Sequence, residues 1–440
     1  MTSESKSHKG GFQLRTNVDL MEIRSRLRSE YGCAVQSEEE ISGILANVDR
    51  DLDDCKAETS RLQARIVSLR NQCQRLENYK ACLKSLRSPI RRLPNETLLL
   101  IFDFACDMNE LSSKSADYAA LMISGVCSRW RDLAKFHPDL WSCIHIHIDK
   151  APLHLPSFPI LNLYLSSSQR SPLTIKIAGL GFDGPLNPHH LAMCATLARC
   201  STRWKKLRVD PTVWEALTMD HPLPCPVLEE VAVPIFGPLS SLDRFQDVPK
   251  LCKLAIGMVT FVGLQEHEGN FPWKRLVTLK IAQFDKGMRN VFQVCSNLRD
   301  VHFHLLTQIR FEHCALPITA PVVERLSFSL PWTYQHESLA NILSSIICPS
   351  LTSLLVEGPC GCTNPWPEDE LNKFVTRSSF RLTTLSIKYT SFSDSDLIDL
   401  LHPLPALLHL TIDDSRVPLN ESPITTHLLQ SLHAFVARPP

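Results

Sequence analysis

With 440 residues, 44% of them hydrophobic, the chain exceeds one small domain and can bury a large core. Lys+Arg and Asp+Glu both total 46, so a formal net charge of zero gives no support to a nucleic-acid or anionic-membrane partner. Thirty prolines against fifteen glycines suit many short, punctuated elements better than glycine-rich nucleotide loops, and the chain lacks the run of 18 or more apolar residues that a membrane span needs.

The opening stretch MTSESKSHKGGFQLR has no apolar core and is not a secretory signal. The sixteen cysteines, scattered from Cys33 to Cys362 without framework spacing, are therefore expected to be reduced and mostly buried thiols of a cytoplasmic and/or nuclear protein. On the same expectation the acceptor-like tripeptides Asn95-Glu96-Thr97 and Asn420-Glu421-Ser422 are chance matches. Residues 1–36 read as a disordered or partly helical tail, with a short helix near Val18 to Arg28.

Residues 37–87 read as a coiled coil or long helix. Alternate steps of four and three visit Ile41, Leu45, Val48, Leu52, Cys55, Thr59, Leu62, Ile66, Leu69, Cys73, Leu76, Lys80 and Leu83, and eleven of these thirteen are apolar when cysteine is counted. A 3.5-residue period kept for six heptads predicts a helix with one apolar stripe, roughly 65 Å long over the seam. Ser37 to Glu40 supplies a capping-box start. The stripe fits a homodimer through 41–83; it equally fits a helix folded back on its own domain or a lone charged helix. Thr59 and Lys80 on the seam count against the dimer.

Residues 88–142 read as a small helical module. Pro94 suits the first turn of a helix, and Glu96 then meets the positive end of its dipole. The run Leu98 to Phe104 is apolar nearly all round, which predicts burial on several sides. An amphipathic segment, Tyr118 to Phe136, follows, and His137 to Trp141 closes the unit. By period alone it is a small helical module of about 50 residues, too small to be very stable unaided, with a helical cap on the first repeat as the plainer alternative.

From 143 to 440 a phrase of the type Leu-x-x-Leu-x-Leu recurs. Its ten instances begin at Trp204, Leu228, Leu251, Leu276, Leu298, Val323, Leu351, Leu382, Leu407 and Leu432, at intervals of 22 to 31 residues. CIHIHI and LTIKIA, between 143 and 200, look like strands opening the series. Leu-x-Leu has the two-residue period of a strand, and stretches such as SLANILSSII, EDELNKFV and DSDLIDLLH between the phrases have helical spacing. A strand and a helix every 22 to 31 residues predict an α/β leucine-rich-repeat solenoid behind a mainly α N-terminal part. The asparagine that follows the phrase in the best-known repeat class is absent, so the repeats are irregular. Alternate strand residues point away from the core. Arg208, Lys253, Lys280, His302, Arg325, Lys388, His409 and Asp413 are thereby assigned to the concave face, either as a partner surface or as solvated strand faces. The long interval Glu357–Glu370 carries Cys360 and Cys362, too close together for a zinc knuckle and without a partner pair.

Leu93-Pro94-x-Glu96, Ile101-Phe102, Val126-Cys127-x-x-Trp130-Arg131 and Leu140-Trp141, in that order, resemble an F-box. The wording SPIRRLPNETLLLIF and VCSRWRDLAKFHPDLWSCIHI behind a heptad helix is similar to the expanded F-box family of mushroom-forming fungi, in which irregular leucine-rich repeats follow. The resemblance implies a helical module that binds a Skp-type adaptor and, through it, the cullin and RING subunits of a ubiquitin ligase, while the repeats hold a protein substrate. By position, the adaptor-binding residues would be Leu93, Pro94, Glu96, Ile101, Phe102, Val126, Cys127 and Trp130, with Leu140 and Trp141 packing the module's end. Leu93 to Val126 spans 33 residues, longer than a compact F-box, and the surplus is the polar stretch Cys106 to Asp117.

No phosphate loop, Gly-x-Ser-x-Gly or His-Glu-x-x-His occurs. His145/His147 and His302/His304 share strand faces but lack a third metal ligand nearby, and Cys127 reads as a packed thiol. No cofactor, metal, nucleic acid or membrane is implied. The receptor reading, in which the chain is non-catalytic, stands against a scaffold reading in which heptad helix and solenoid act outside ubiquitin transfer.

Overall fold

A computed structural model describes residues 13–28, 38–111, 118–148, 158–179, 186, 188–217, 222–233, 239–257, 261, 264, 271–282, 287–304, 317–330, 337–358, 367–390, 393–417 and 422–436. The chain divides into two compact units, Met1–Pro94 and Asn95–Pro440. The loop carrying Cys360 and Cys362, residues 112–117 of the polar stretch, Asn420 and Cys33 lie outside the described residues.

The first unit holds helix α1 (Leu20–Arg28), helix α2 (Glu38–Leu86) and a 3-10 turn at Pro89–Arg92. The 49 residues of α2 span roughly 73 Å at 1.5 Å per residue. Three acids, Glu38 to Glu40, occupy its first turn, where they meet the positive end of the dipole. Asp51 is its only residue buried in this unit, because Arg15 and Thr16 donate backbone N–H groups to its carboxylate at 3.0 and 2.9 Å and the Arg15 side chain adds a contact at 3.2 Å.

The second unit is built on a twelve-stranded, all-parallel sheet. Its strands run in chain order: β1 (Asn109–Leu111), β2 (Cys143–Ile148), β3 (Leu173–Gly179), β4 (Trp204–Val209), β5 (Glu230–Val233), β6 (Lys253–Ile256), β7 (Thr278–Ile281), β8 (Asp300–His304), β9 (Arg325–Ser329), β10 (Ser353–Glu357), β11 (Thr384–Lys388) and β12 (His409–Asp413). Each strand between the two edges pairs with the one before and the one after, which is the topology of a solenoid. The repeat phrase explains the core. Its first apolar residue (Leu228, Leu251, Leu276, Leu298) is wholly buried before the strand begins, and the next two fall on the inward strand positions. Val231, Leu254, Leu279, Val301, Leu326, Leu354 and Leu385 stand in one row by register, and Phe303 stacks on Phe328 at 5.6 Å in the row behind.

Between the strands lie helices α7 (Pro188–Ala198), α8 (Pro211–Leu217) and α9 (Met288–Val294), and α10 (Glu337–Ser345), α11 (Glu368–Ser378) and α12 (Asp394–Leu401) form at the three amphipathic stretches. α12 starts on a reciprocal capping box between Ser393 and Asp396. Nine of the ten phrases are strands. The tenth, from Leu432, is helical instead, within α13 (Thr426–Val436). Leu428, Leu432 and Phe435 recur at helical spacing, and the Thr425 hydroxyl accepts from the Leu428 N–H at 3.2 Å to start the helix.

The helical module before the sheet comprises α3 (Asn95–Ala105), α4 (Ala119–Val126), α5 (Ser128–Phe136) and a 3-10 turn at Pro138–Trp141. Two expectations need correction here. The segment Tyr118–Phe136 is not one helix: Cys127 has extended backbone, φ −161° and ψ 171°, and breaks it in two. Within the polar stretch after Cys106, Asn109–Leu111 is not loop either but the first strand of the sheet, pairing Asn109 with Ile144 and Leu111 with Ile146.

That splice depends on one buried side chain. The Asn109 amide donates to the Leu140 and Cys143 carbonyls at 2.8 and 3.0 Å, while its oxygen accepts from the Ala120 N–H at 3.0 Å and the Tyr164 hydroxyl at 3.3 Å. Five elements therefore meet at a residue with no solvent exposure: β1, α4, the 3-10 turn, β2 and α6 (Phe158–Ser167). Asn109→Leu keeps the volume but leaves two carbonyls and an N–H buried without partners, and should cost about 3 kcal/mol or more in urea unfolding. Asn109→Asp, which sets a carboxylate against two carbonyl oxygens, should be worse still; equal stability of the three proteins would refute this role.

Candidate functional site

The three helices of the module bury one side of themselves and expose another. Along α3, Leu98 and Phe102 are buried, as is Cys106 one turn on, which marks a stripe of period four. Phe102 meets the Trp130 ring edge-on at 4.9 Å. Trp141 donates its indole N–H to the Ala134 carbonyl at 2.9 Å and packs against Tyr164 at 5.1 Å. The start of α3 is tied to α5 by the Arg129 guanidinium, which donates to the Asn95 side chain at 2.7 and 3.0 Å, and its end by Asp103 and His137, 3.0 Å apart. Asn95 of the first acceptor-like tripeptide is thus a helix-start residue with a structural bond.

On the other side of α3 lies a second apolar stripe, open to solvent. Leu100, Ile101 and Phe104 are exposed, Phe104 at 87%. α4 repeats the pattern with Met122 and Val126, and Phe136 at the end of α5 is 86% exposed. The run Leu98 to Phe104 is therefore buried on one side, not several. Large exposed aromatics on neighbouring helices, with packed cores beneath them, are the signature of a surface built to be covered.

The expected adaptor-binding residues divide accordingly. Ile101, Val126 and Glu96 are exposed; Cys127 and Trp130 are half-buried. Leu93 is half-buried and Pro94 exposed, at the end of the first unit; the helix begins one residue later than expected, at Asn95. Phe102 is corrected: at 1% exposed it fills the centre of the module and does not present itself to a partner, while Leu140 and Trp141, at most 3% exposed, are buried at the module's end. Phe104, Leu100, Met122 and Phe136 were not singled out by sequence. A helix apolar on two stripes does not announce which one its own domain covers.

A second surface is formed by the outward strand positions of the sheet. Arg208, Lys253, Lys280, Arg325 and His409 are exposed there, and His302, Lys388 and Asp413 are half-buried on outward strand positions. The register sets Arg208 beside Lys176 and His302 beside Lys280, and sets Lys388 beside Asp413. Charges of opposite sign also meet across strands: Lys206 with Glu230 at 3.8 Å and Asp300 with Arg325 at 3.3 Å. These exposed pairs fix the strand faces at little gain in stability.

At the β2 end of this face the His145 and His147 rings lie 4.1 Å apart, and His147 Nε2 is 3.2 Å from Glu110. Burial, aided by His147, Lys176 and Arg208, pushes the His145 imidazole down to about 4. Among the described residues no group of three or more His, Cys, Asp or Glu is arranged to hold a metal ion. Burial also pushes the Cys194, Cys225, Cys295 and Cys348 thiols up to about 12, so they stay protonated and serve as packing. No helix among the described residues is long and apolar enough to cross a membrane.

Residues 90–147, which take in the module, β1 and most of β2, match the F-box-like family model. Among solved structures, one match is the leucine-rich repeat-containing protein LegL7 from Legionella pneumophila, 15% identical over 68% of this chain and 94% of that one, with a TM-score of 0.37. At that score the likeness carries no argument, and the repeat fold rests on the ladder described above. The search of curated proteins found no match.

The buried imidazoles carry a pH dependence. His145, His190 and His302 are all held below the ordinary 6.5, each chiefly by burial, so between about 6.5 and 4 the unfolded chain binds the more protons. Stability should fall on acidification through that window. The urea midpoint should drop between pH 7.5 and pH 5, and His145→Gln should flatten the slope; an unchanged slope would exclude His145 as a contributor.

Proposed function

We propose that the chain is the substrate-receptor subunit of an SCF-type cullin–RING ubiquitin ligase. Its F-box-like domain docks on a Skp-type adaptor, the adaptor brings the cullin and RING subunits, and the outward strand residues of the repeats hold a protein substrate. The observation that carries this reading is the open apolar stripe Leu100–Ile101–Phe104 on α3, alongside Met122 and Val126 on α4, inside a domain matched to the F-box-like family. F-box domains generally bind Skp-type adaptors, and burying such a stripe is what a tight helix-to-groove contact needs. Ubiquitin chemistry then belongs to other subunits, and this chain contributes placement by raising the local concentration of substrate. The heptad helix, the module and the irregular repeats follow the order of the fungal family that the sequence resembles.

The face that would meet substrate is mixed in charge. Lys176, Arg208, Lys253 and Lys280 are among its bases before β9, with Glu230 and Asp300 between them, and Lys388 stands with Glu357 and Asp413 beyond β9. An acidic segment of the substrate fits the first of these regions.

Phe104→Asp and Val126→Asp alter exposed side chains and should leave the fold intact. Each should weaken co-purification with a Skp-type adaptor by roughly 30-fold or more, the loss expected of a buried anchor. Trp130→Ala is the poorer probe, since it also removes the packing of Phe102. Adaptor and cullin retained by the double variant, with the fold intact by circular dichroism, would sink the receptor reading in favour of a scaffold.

A further inference from the structure

The apolar seam of α2 is uncovered along most of its length. Val48 and Cys55, beside the buried Asp51, are half-covered, whereas Leu52, Leu62, Ile66, Leu69 and Leu76 are exposed, Leu76 at 68%. A helix of this length with a stripe of this period is stable in water only when the stripe is covered. What covers it is indicated by the charges. Residues 38–60 carry eight carboxylates against two bases, Arg50 and Lys56, whereas residues 61–87 carry seven bases against one acid, Glu77. The helix dipole accounts for opposite charges only in the first and last turns. Here the polarity extends through the whole helix, so its two halves are electrostatic complements of each other.

We propose that α2 pairs with α2 of a second copy of this chain, antiparallel, with the two-fold axis passing between Ser60 and Arg61. In that register the seam stacks Leu45 on Leu76 of the partner copy and Leu52 on its Leu69, and it places Cys73 against Val48. The positions flanking the seam bring Asp49 opposite Arg70, and they bring Glu58, which also accepts from Arg61 of its own helix at 2.7 and 2.8 Å, opposite Arg65, each pair made twice; no like charges oppose one another. Lys80, an apparent flaw in the stripe, falls opposite Ile41 at the end of the seam, next to the acids of the other helix's first turn.

The parallel alternative fails on the same count. In register it would set Lys80 against Lys80 and Arg65 against Arg70, and its one favourable flanking pair joins Asp51 to Lys56. Asp51 is already taken by Arg15 and Thr16 and is 5% exposed. An antiparallel pair shifted by one heptad sets Asp49 against Glu77 and Lys56 against Arg70, and is disfavoured by like charge.

The full chain should sediment as a dimer at micromolar concentration. Val48→Cys, treated with a short bifunctional thiol reagent, should link to Cys73 of the other copy, as read by mass spectrometry of tryptic peptides. A Cys73–Cys73 link would instead mean a parallel pair, and a Cys55–Cys73 link the shifted one; either overturns the proposal, as does a monomer. Asp49→Arg should weaken the dimer roughly tenfold, the sum of two exposed ion pairs turned repulsive, and adding Arg70→Asp should restore it. Failure of the double variant to recover, with α2 still helical by circular dichroism, would also overturn it.

Discussion

The second unit depends on the burial of one amide. A three-residue strand cannot hold its place by backbone pairing alone, and a helical module of this size has too small a core to be firm unaided. Asn109 removes both weaknesses by engaging the two carbonyls and the N–H that the turn into the sheet would otherwise leave stranded. A buried amide satisfied on all sides is directional in a way that apolar contact is not. It sets the angle between α4 and the sheet as well as the distance.

From that anchor the rest is repetition. Each turn of the solenoid adds one inward pair of apolar residues and one outward pair free to vary, because the strand period is two. The inward rows are monotonous, Val and Leu above Ile and Phe, and the outward rows change charge from strand to strand. The fold therefore separates the residues that hold it together from those that meet solvent, within single strands such as Arg325–Ser329.

Much of this was legible in the sequence, for physical reasons. The repeat phrase combines a buried residue before the strand with a two-residue period within it, and nine strands formed where it occurs. The phrase from Leu432 misled because its apolar residues also fit a helix, and a six-residue window cannot separate the two periods. Asn109 was passed over because a three-residue strand has no period to detect and the surrounding stretch is polar. In α3, composition showed excess apolarity but not its division into a stripe under Trp130 and a stripe open to water. Phe102 and Ile101, adjacent in sequence, fell on opposite sides of that division. The order of F-box-like pairs survives because those residues mostly hold the module together, which is why several of them proved to be interior.

The parallel ladder from β1 to β2 has a mechanical consequence. The module's helices and the sheet share hydrogen bonds, so they cannot swivel about a linker as separately folded domains do. On the receptor reading, anything gripped by the outward strand residues stands at a set bearing from the adaptor surface. Such a lever arm would choose among the lysines of a bound protein by position as well as by reach, and lengthening the strand-bearing segment by one repeat would shift that choice by one step along the solenoid.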